Sequence, residues 1–460
     1  MVLGEFTLEK NFLLYTIKRK NKKSKNVSFL NSDNTYYLMH INTIINSLKT
    51  NTKVRQVLAL FSVSIIGIPI GIITSIVITR YLGPQGFGDY KFILSVFNFA
   101  IIIFTFGFYQ SGNRALVLNN DRQKAREYYG AEFILTIGIF LIMSLFLVLY
   151  ALFDNNIQDK QLDKLLLYVI PFGWVFLLLR YYEVLFQADN KIRLLSQVRL
   201  YPKIGFLIVA ILIYFLFNDI NKLRVELVLA LYILVETIVY VCVLFKIKLS
   251  FKNLKKRIFE IYIYNKSFGF NVYIGSVVAL GFVQLTGILI SYFGVDNSGV
   301  GFYSLALTFT LPLSLIPNTI ATTHYKDFSS AKQIPKKLLY ITIGLSLFSI
   351  IAIWIIVPPF ITYFYGKEFL SVVKLNFIVS FGVIAHGFGD FYNRFLGANG
   401  QGRSLRNSSF FVGGSMLLFN LIFIPKWGEY GAAFAKLITG LIYIITIIIY
   451  YYRYIRSDKK

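Results

Sequence analysis

Residues 57–90 read VLALFSVSIIGIPIGIITSIVITRYLGPQGFGDY, an apolar run followed by a loop rich in glycine. Residues 57–79 carry no charged side chain. A helix rises about 1.5 Å per residue and the hydrocarbon core of a bilayer is about 30 Å thick, so about 20 apolar residues cross it. This stretch therefore predicts one membrane-spanning helix and the approach to a second.

The rest of the chain repeats the pattern. Of its 460 residues, 56% are hydrophobic and 15% are charged, whereas soluble domains are about 25% charged. We predict an all-α polytopic membrane protein with about twelve transmembrane helices. The predicted spans are 57–79, 92–109, 133–153, 165–186, 201–217, 225–245, 270–293, 302–321, 338–358, 375–396, 410–424 and 432–452.

Basic residues are divided unevenly between the two predicted faces of the membrane. The formal net charge of +25 would indicate nucleic-acid binding in a soluble protein, but here the basic residues lie between apolar spans. With the N-terminus inside, the inner segments hold 36 Lys and Arg against 10 Asp and Glu, and the outer loops hold 9 of each kind. Cytoplasmic loops of membrane proteins are rich in Lys and Arg. Both termini are therefore predicted to be cytoplasmic, with no nucleic acid as partner.

The sequence offers little for metal chemistry or for a catalytic domain. Cys242 is the single cysteine, and the histidines His40, His324 and His386 share no ligand-like spacing. All predicted loops are short, which leaves no room for an extramembrane domain that carries acid and base residues. We expect no metal, no cofactor and no enzymatic activity.

Two pairs of similar motifs recur at a nearly constant distance along the chain. Residues 81–90 read YLGPQGFGDY, and residues 292–294 and 299–303 read YFG and GVGFY, at an offset of 211 to 213. Residues 188–193 (ADNKIR) match residues 398–403 (ANGQGR) at an offset of 210. Because an even number of spans separates the copies, we predict two parallel six-helix repeats around a central cavity.

The first motif also has a local interpretation. Pro84 fixes its own φ and glycine permits positive φ, so we expect Gly83, Gly86 and Gly88 to form a tight turn between two spans. A phosphate-cradling loop is the alternative, but no strand precedes the motif and it lies on the predicted outer face.

Around these residues the sequence resembles the polysaccharide flippases, the O-antigen and capsule repeat-unit translocases of the multidrug/oligosaccharidyl-lipid/polysaccharide (MOP) exporter superfamily. Residues 80–90 (RYLGPQGFGDY), 299–303 (GVGFY) and 428–433 (GEYGAA) carry the likeness. The resemblance implies two six-helix lobes that alternate access and move an undecaprenyl-pyrophosphate-linked oligosaccharide across the bacterial inner membrane. It also implies membrane lipids and other polysaccharide-assembly proteins as partners.

The repeat sets the predicted domain organisation. Residues 1–55 form a basic cytoplasmic extension, flexible in part, and residues 453–460 form a basic cytoplasmic tail. The two lobes are residues 56–247, called here the N-half, and residues 268–452, called here the C-half. Residues 248–267 are predicted to link them.

The linker is predicted to be a basic amphipathic helix. Phe251, Leu254, Ile258 and Ile261 recur at helical spacing among lysines and one arginine. Such a helix lies in the membrane interface and is attracted to anionic lipid. We therefore expect the linker to lie on the inner leaflet.

Ionisable residues inside predicted spans cost about 2.5–3.5 kcal/mol each and are candidate functional groups. Arg180, Glu183 and Gln187 form one stripe on the fourth span. We hypothesise that this stripe lines the inward half of the cavity, where Arg180 attracts pyrophosphate or an acidic sugar. A structural Arg180–Glu183 pair that stabilises packing is an equally supported alternative.

The equivalent stripe lies on the tenth span, where the offset of 210 places Asp390 at the position of Arg180. We expect Asp390 to close an ion pair with Arg180 in one conformational state. The other members of this stripe are His386, Asn393 and Arg394.

Two further ionisable residues lie inside predicted spans. Glu236 is the deepest acid, so it is a candidate for ion coupling through a proton that it binds and releases; a neutral, hydrogen-bonded Glu236 is the favoured alternative. Lys436 lies near the outer end of the last span, where snorkelling to the headgroups is favoured over a role with cargo.

The flippase interpretation has two competitors. A multidrug or cation antiporter of the same superfamily would have the same fold and a cavity rich in acids. A membrane enzyme of glycan assembly would need the large loop that this chain lacks. Arg180 and Arg394 favour an anionic lipid-linked glycan as cargo.

Overall fold

The computed structural model describes residues 52–119, 121–216 and 224–457. By its internal contacts the chain divides into two units, Met1–Ala59 and Leu60–Lys460. Of the first unit only residues 52–59 are described, and their backbone is helical. The predicted N-terminal extension lies almost entirely outside the described residues.

All regular structure in the described part of the chain is helical, which confirms the all-α prediction. The α-helices are α1 (Thr52–Phe104), α2 (Phe108–Val117), α3 (Arg122–Phe153), α4 (Asn155–Asp159), α5 (Leu162–Val169), α6 (Trp174–Ala188), α7 (Ile192–Leu216), α8 (Val225–Ile247), α9 (Leu254–Tyr264), α10 (Phe270–Ser276), α11 (Phe282–Phe293), α12 (Ser298–Thr310), α13 (Pro312–Thr323), α14 (Tyr325–Ser330), α15 (Lys336–Phe360), α16 (Leu370–Ala398) and α17 (Gly402–Ser457). The short 3₁₀ segments are Ile170–Phe172 and Lys367–Phe369, and the π-helical turns are Asn265–Gly269, Val277–Gly281 and Ile361–Tyr365.

Nine helical segments among the described residues are long and apolar enough to cross a membrane, and one bent pair makes up to ten. The chain is therefore a multi-pass membrane protein. α1 and α17 are each broken at a single glycine, Gly83 with φ 64° and Gly428 with φ 54°, where a loop between two spans is predicted. The count of twelve stays a prediction.

The fourth predicted span is not one straight helix. α5 and α6 meet at an angle of 51°, across a 3₁₀ turn that contains Pro171. Proline lacks the N–H that a continuous helix needs. Gly173 follows it, and a Cβ there would lie 2.6 Å from Cε1 of Phe97. The bend thus lets α6 approach the second part of α1.

The expected turn at the glycine motif is shorter than predicted. Only Gly83 has positive φ, whereas Gly86 and Gly88 belong to the helix that begins at Pro84. Proline suits the first turn of a helix because its missing N–H would have no partner there. Gly86 and Gly88 therefore serve close helix packing rather than chain reversal.

The linker helix α9 packs against the N-half more tightly than an interfacial helix needs to. Ile261 is fully buried, and Leu254 and Ile258 pack against the core. Arg257, predicted as one of the exposed basic residues, is instead buried. The predicted apolar stripe thus faces protein, and Phe251 lies outside the helix.

A buried ion network explains this position of α9. Arg257 Nε lies 2.8 Å from Glu127 Oε2 on α3, and its Nη1 lies 2.6 Å from Glu260 Oε2. The Tyr128 hydroxyl donates to the same Glu260 oxygen at 2.7 Å. A buried guanidinium that binds two carboxylates satisfies charges that would be costly alone.

Candidate functional site

A cavity of about 520 Å³ lies inside the N-half. Its walls come from both parts of α1 and from α6, α7 and α8. The charged residues that line it are Lys91, Glu183, Arg199, Lys203 and Glu236. Charged groups at this depth are rare in spanning helices and usually line watery cavities.

Glu183 holds two arginines at the edge of this cavity. Its Oε2 lies 3.5 Å from Arg180 Nη1, and its Oε1 accepts from Arg199 Nε at 2.9 Å and Nη2 at 2.8 Å. The Arg180 and Arg199 side chains remain 37% and 35% exposed. One carboxylate thus orients two guanidinium groups, and the trio keeps a net positive charge with accessible donors.

Two lysines add to the positive charge. Lys203 Nζ lies 3.2 Å from the point where Gly67 would carry a Cβ, so the absence of a side chain at Gly67 makes room for it. Lys91 Nζ lies 5.2 Å and 5.4 Å from the ring centres of Phe87 and Tyr90, within cation–π range. Both lysines line the cavity.

Sequence reasoning did not predict Lys91, Arg199 and Lys203 as site residues. Each lies near the end of a predicted span, where it was counted among the charges of the loops. A signal was nevertheless present in the sequence. Arg199 and Lys203 are four residues apart on α7, so they share one helix face. That face points into the cavity.

Glu236 is 5% exposed and also lines the cavity. Tyr232 and Tyr240, each four residues away on α8, line the cavity with it. Both the proton-carrying role and the neutral, hydrogen-bonded role predicted for Glu236 are compatible with this environment.

A second cavity of about 200 Å³ adjoins the first and shares Leu179 and Glu183 with it. Arg180 lines this second cavity together with Gln284 of α11. The Arg180–Glu183 pair therefore stands between a pocket inside the N-half and a gap bordered by the C-half. Gln187, the third residue of the predicted stripe, is exposed and lines neither cavity.

The stripe on α16 forms a separate polar cluster. The Tyr443 hydroxyl donates to Asp390 Oδ1 at 3.1 Å and accepts from Asn393 Nδ2 at 3.0 Å. The His386 ring centre lies 4.8 Å from that of Tyr443. A Cβ on Gly389 would lie 2.3 Å from the Tyr443 ring, so glycine admits the ring there. Tyr443 is the organising residue of this cluster, and sequence reasoning missed it.

Other predicted residues lie near this cluster. Arg394 Nε lies 3.4 Å from Asn318 Oδ1 on α13, and Lys436 is half-buried on α17. Asp390 bonds Tyr443 and Arg180 bonds Glu183, so the expected Arg180–Asp390 pair is not formed in this conformation.

The glycine motifs of the two halves meet at the end of the bundle that is predicted to face outward. A Cβ on Gly88 would lie 1.8 Å from the Asn297 carbonyl oxygen, and one on Gly301 would lie 3.0 Å from that of Pro84. Asn297 Nδ2 donates to Asp89 Oδ1 at 2.7 Å. We call this contact the outer clasp.

The third motif joins the same contact. A Cβ on Gly299 would lie 2.8 Å from Glu429 Oε2, which follows the break at Gly428. Lys160, between α4 and α5, donates to the Gly294 carbonyl at 2.8 Å. Phe87 and Tyr90, which line the large cavity, come directly from the clasp, so the cavity ends against it.

Comparison with known proteins agrees with this architecture. The family described as polysaccharide biosynthesis protein matches residues 54–330, more than half of the chain. The chain belongs to this family. The capsular polysaccharide biosynthesis protein CapF of Staphylococcus aureus is 23% identical over 399 residues, covering 83% of this chain and 94% of CapF.

Solved structures establish the fold. The lipid II flippase MurJ in an inward closed conformation matches this family member with a TM-score of 0.66 at 17% identity, covering 85% of this chain and 87% of MurJ. An inward-facing multidrug resistance MATE family transporter of the MOP superfamily matches with a TM-score of 0.64 at 13% identity, covering 85% and 95%. The chain therefore has the fold that the MurJ flippase shares with this MATE family transporter, as the resemblance to MOP exporters implies.

The cavity is expected to be solvated and attractive to anions. Gly71 lines the cavity, and no atom lies within 4 Å of a Cβ added to it. Gly71→Cys therefore introduces a thiol without a clash. In a Cys242→Ser background, a negatively charged methanethiosulfonate reagent should modify this thiol about tenfold faster than a positively charged one.

The control for this measurement is Leu145→Cys on the outward face of α3, where Leu145 is 63% exposed to the predicted lipid. Neither charged reagent should modify it. Equal rates of the two reagents at Gly71→Cys would show that the cavity does not select for negative charge.

Proposed function

We propose that this protein is a flippase that moves an undecaprenyl-pyrophosphate-linked oligosaccharide repeat unit across the bacterial inner membrane by alternating access. The observation that supports this best is the charge of the N-half cavity. The cavity and its edge hold four basic side chains against two acidic ones: Lys91, Arg180, Arg199 and Lys203 against Glu183 and Glu236. An anionic cargo would balance this excess.

A pyrophosphate group suits the two arginines in particular. Guanidinium groups bind phosphate oxygens through paired N–H donors. Glu183 fixes the orientation of Arg180 and Arg199 while their accessible surface leaves donors free. In this proposal the sugars occupy the large cavity, among the aromatic rings and hydroxyls of Tyr90, Tyr232 and Tyr240.

The outer clasp supplies the closed end that alternating access requires. Polar and backbone contacts hold it, with the Asp89–Asn297 hydrogen bond and the Gly88 contact at its centre. Contacts of this kind can separate without exposing a large apolar surface. We assign this conformation to the state that admits cargo from the cytoplasm, in line with the prediction that both termini are cytoplasmic.

The cluster in the C-half is assigned a role in the return step. When the clasp opens and the inner gap closes, Asp390 would exchange Tyr443 for Arg180 as its partner, which releases the cargo phosphate. His386, Asn393 and Arg394 would support this exchange, and Lys436 would remain a second cation near Asp390.

A multidrug or cation antiporter remains the competing function because the fold is shared with a MATE family transporter. Cationic drugs would need an excess of acids in the cavity, and the N-half cavity has the opposite balance.

Arg180→Ala and Arg199→Ala are each expected to lower surface glycan about tenfold or more, since a hydrogen bond to a charged group contributes about 1.5–3 kcal/mol. Surface polysaccharide is measured in a strain whose export depends on this chain, and membrane protein level checks folding. Arg403→Ala, an exposed arginine at the start of α17, is the matched control. Normal glycan from both cavity variants would reject the cargo role and leave Arg180–Glu183 a structural pair.

Opening of the outer clasp is expected to be obligatory for export. In a Cys242→Ser background, Asp89→Cys with Asn297→Cys places two thiols where the side chains now touch. Oxidation should join them and stop export, and a reductant should restore it. The two single-cysteine variants serve as controls. Full export by the cross-linked protein would contradict alternating access through this contact.

Glu236 is proposed as the ion-coupling residue. Glu236→Gln keeps the shape and the hydrogen-bonding capacity of the side chain but cannot release a proton, so transport should lose its dependence on a proton gradient. Proteoliposome uptake with and without the gradient measures this. Glu226→Gln, an exposed acid on the same helix, is the control. Unchanged gradient dependence would discard coupling at Glu236.

A further inference from the structure

A third cavity, of about 420 Å³, lies on the predicted cytoplasmic side, away from the transport cavity. It is formed by the first turns of α3 and by the chain between α8 and α9. Arg122 and Arg126 line it from α3, and Lys248 and Lys252 line it from the other wall. No acidic residue is among the residues that line it.

Among the residues that the structure describes, no acidic partner is found for the four basic side chains of this cavity. Within the described ranges none of them forms an ion pair shorter than 4.0 Å, in contrast to Arg257 on the adjacent α9. The acids of this region are otherwise engaged. Glu127 and Glu260 bind Arg257, and Asp121 caps α3 by accepting from the Gln123 backbone N–H at 2.8 Å.

The backbone holds the two walls in fixed register. The Ser250 N–H donates to the Arg126 carbonyl at 3.1 Å, and a Cβ on Gly130 would lie 2.2 Å from the Ser250 carbonyl oxygen. Lys248 adopts a left-handed conformation with φ 53°, which reverses the chain directly after α8. Tertiary contacts therefore fix the walls of this cavity and bring its basic residues together.

Apolar side chains stand exposed beside the cavity. Phe251 is 51% exposed next to Lys252, and on α9 Phe259 is 62% and Tyr262 is 53% exposed. Aromatic side chains with basic neighbours at a span end are typical of the membrane interface. Such a surface fits a position of the cavity at the level of lipid headgroups.

We infer that Arg122, Arg126, Lys248 and Lys252 bind the phosphate of an anionic phospholipid headgroup. Basic pockets on the cytoplasmic side of membrane proteins bind such headgroups through charge and hydrogen bonds. The lipid would hold the start of α3 and the end of α8 together, at the point where the chain leaves the N-half for the linker. The site is separate from the transport cavity and does not depend on the function proposed for that cavity.

Binding is tested on the full chain in nanodiscs of zwitterionic lipid, with fluorescent phosphatidylglycerol as the probe. The Arg126→Gln/Lys252→Gln variant should bind this lipid about tenfold more weakly, since it loses two charged hydrogen-bond donors to the headgroup phosphate. The matched control is Lys255→Gln/Lys256→Gln, which removes the same charge from exposed positions outside the cavity. Its affinity should stay within about twofold of the parent.

Competition with inorganic phosphate distinguishes a lipid from a soluble ligand. Displacement of the fluorescent lipid only at phosphate concentrations far above those of unlabelled phosphatidylglycerol would support a lipid site. Phosphate as effective as the lipid would overturn the assignment to a lipid headgroup. Equal weakening by the two double variants would overturn the site itself, because it would show only diffuse attraction to the surface.

Discussion

The contact between backbone atoms at Gly88 and Asn297 sets the arrangement of the two halves at the outer end. No side chain fits at position 88, and a Cβ at position 301 would make a tight contact of 3.0 Å with the Pro84 carbonyl oxygen. Helix association in lipid depends on such close approach, since lipid tails are as apolar as the helices and provide no hydrophobic force between them. The glycine motifs of residues 81–90 and 299–303 are thus steric features of one contact, which the Asp89–Asn297 hydrogen bond also joins.

Below this contact the protein concentrates charge that a membrane segment would ordinarily avoid. The charges compensate one another only in part, because Glu183 is shared by Arg180 and Arg199 while Lys91 and Lys203 have no carboxylate within ion-pair distance among the described residues. The C-half is organised differently, with a hydroxyl, Tyr443, between Asp390 and Asn393. The two halves are predicted to share one topology, but their polar interiors are chemically unlike.

Much of the fold could be predicted from apolar run length and charge asymmetry, because both follow from the bilayer. The sequence shows Pro171 and Gly173 at the bend but not the angle between α5 and α6. That angle depends on how α6 packs against Phe97. The glycines of residues 81–90 were assigned to a turn because sequence shows their conformational freedom but not their neighbours. Only the structure shows that Asn297 fills the space beside Gly88.

The site was predicted in part for the same reason. Arg180, Glu183 and Glu236 stand out because they interrupt apolar runs. Lys91, Arg199 and Lys203 lie close to span ends, where a basic residue normally faces water, and only the folded chain shows that they point into the cavity. Tyr443 was missed because one tyrosine among 32 carries no distinguishing mark in the sequence.

The ion network of Arg257 has a mechanical meaning for the connection between the halves. Because Arg257 is bound to Glu127, α9 is a fixed part of the N-half and does not lengthen the flexible connection between the halves. The π-helical turn Asn265–Gly269 is held by the N-half as well, because Asn265 Nδ2 donates to the Phe106 carbonyl at 3.1 Å and a Cβ on Gly269 would lie 1.9 Å from Ser111 Oγ. In the alternating access proposed above, displacement between the halves would therefore fall in the chain after Gly269, which contains the second π-helical turn, Val277–Gly281, while α9 would move with the N-half.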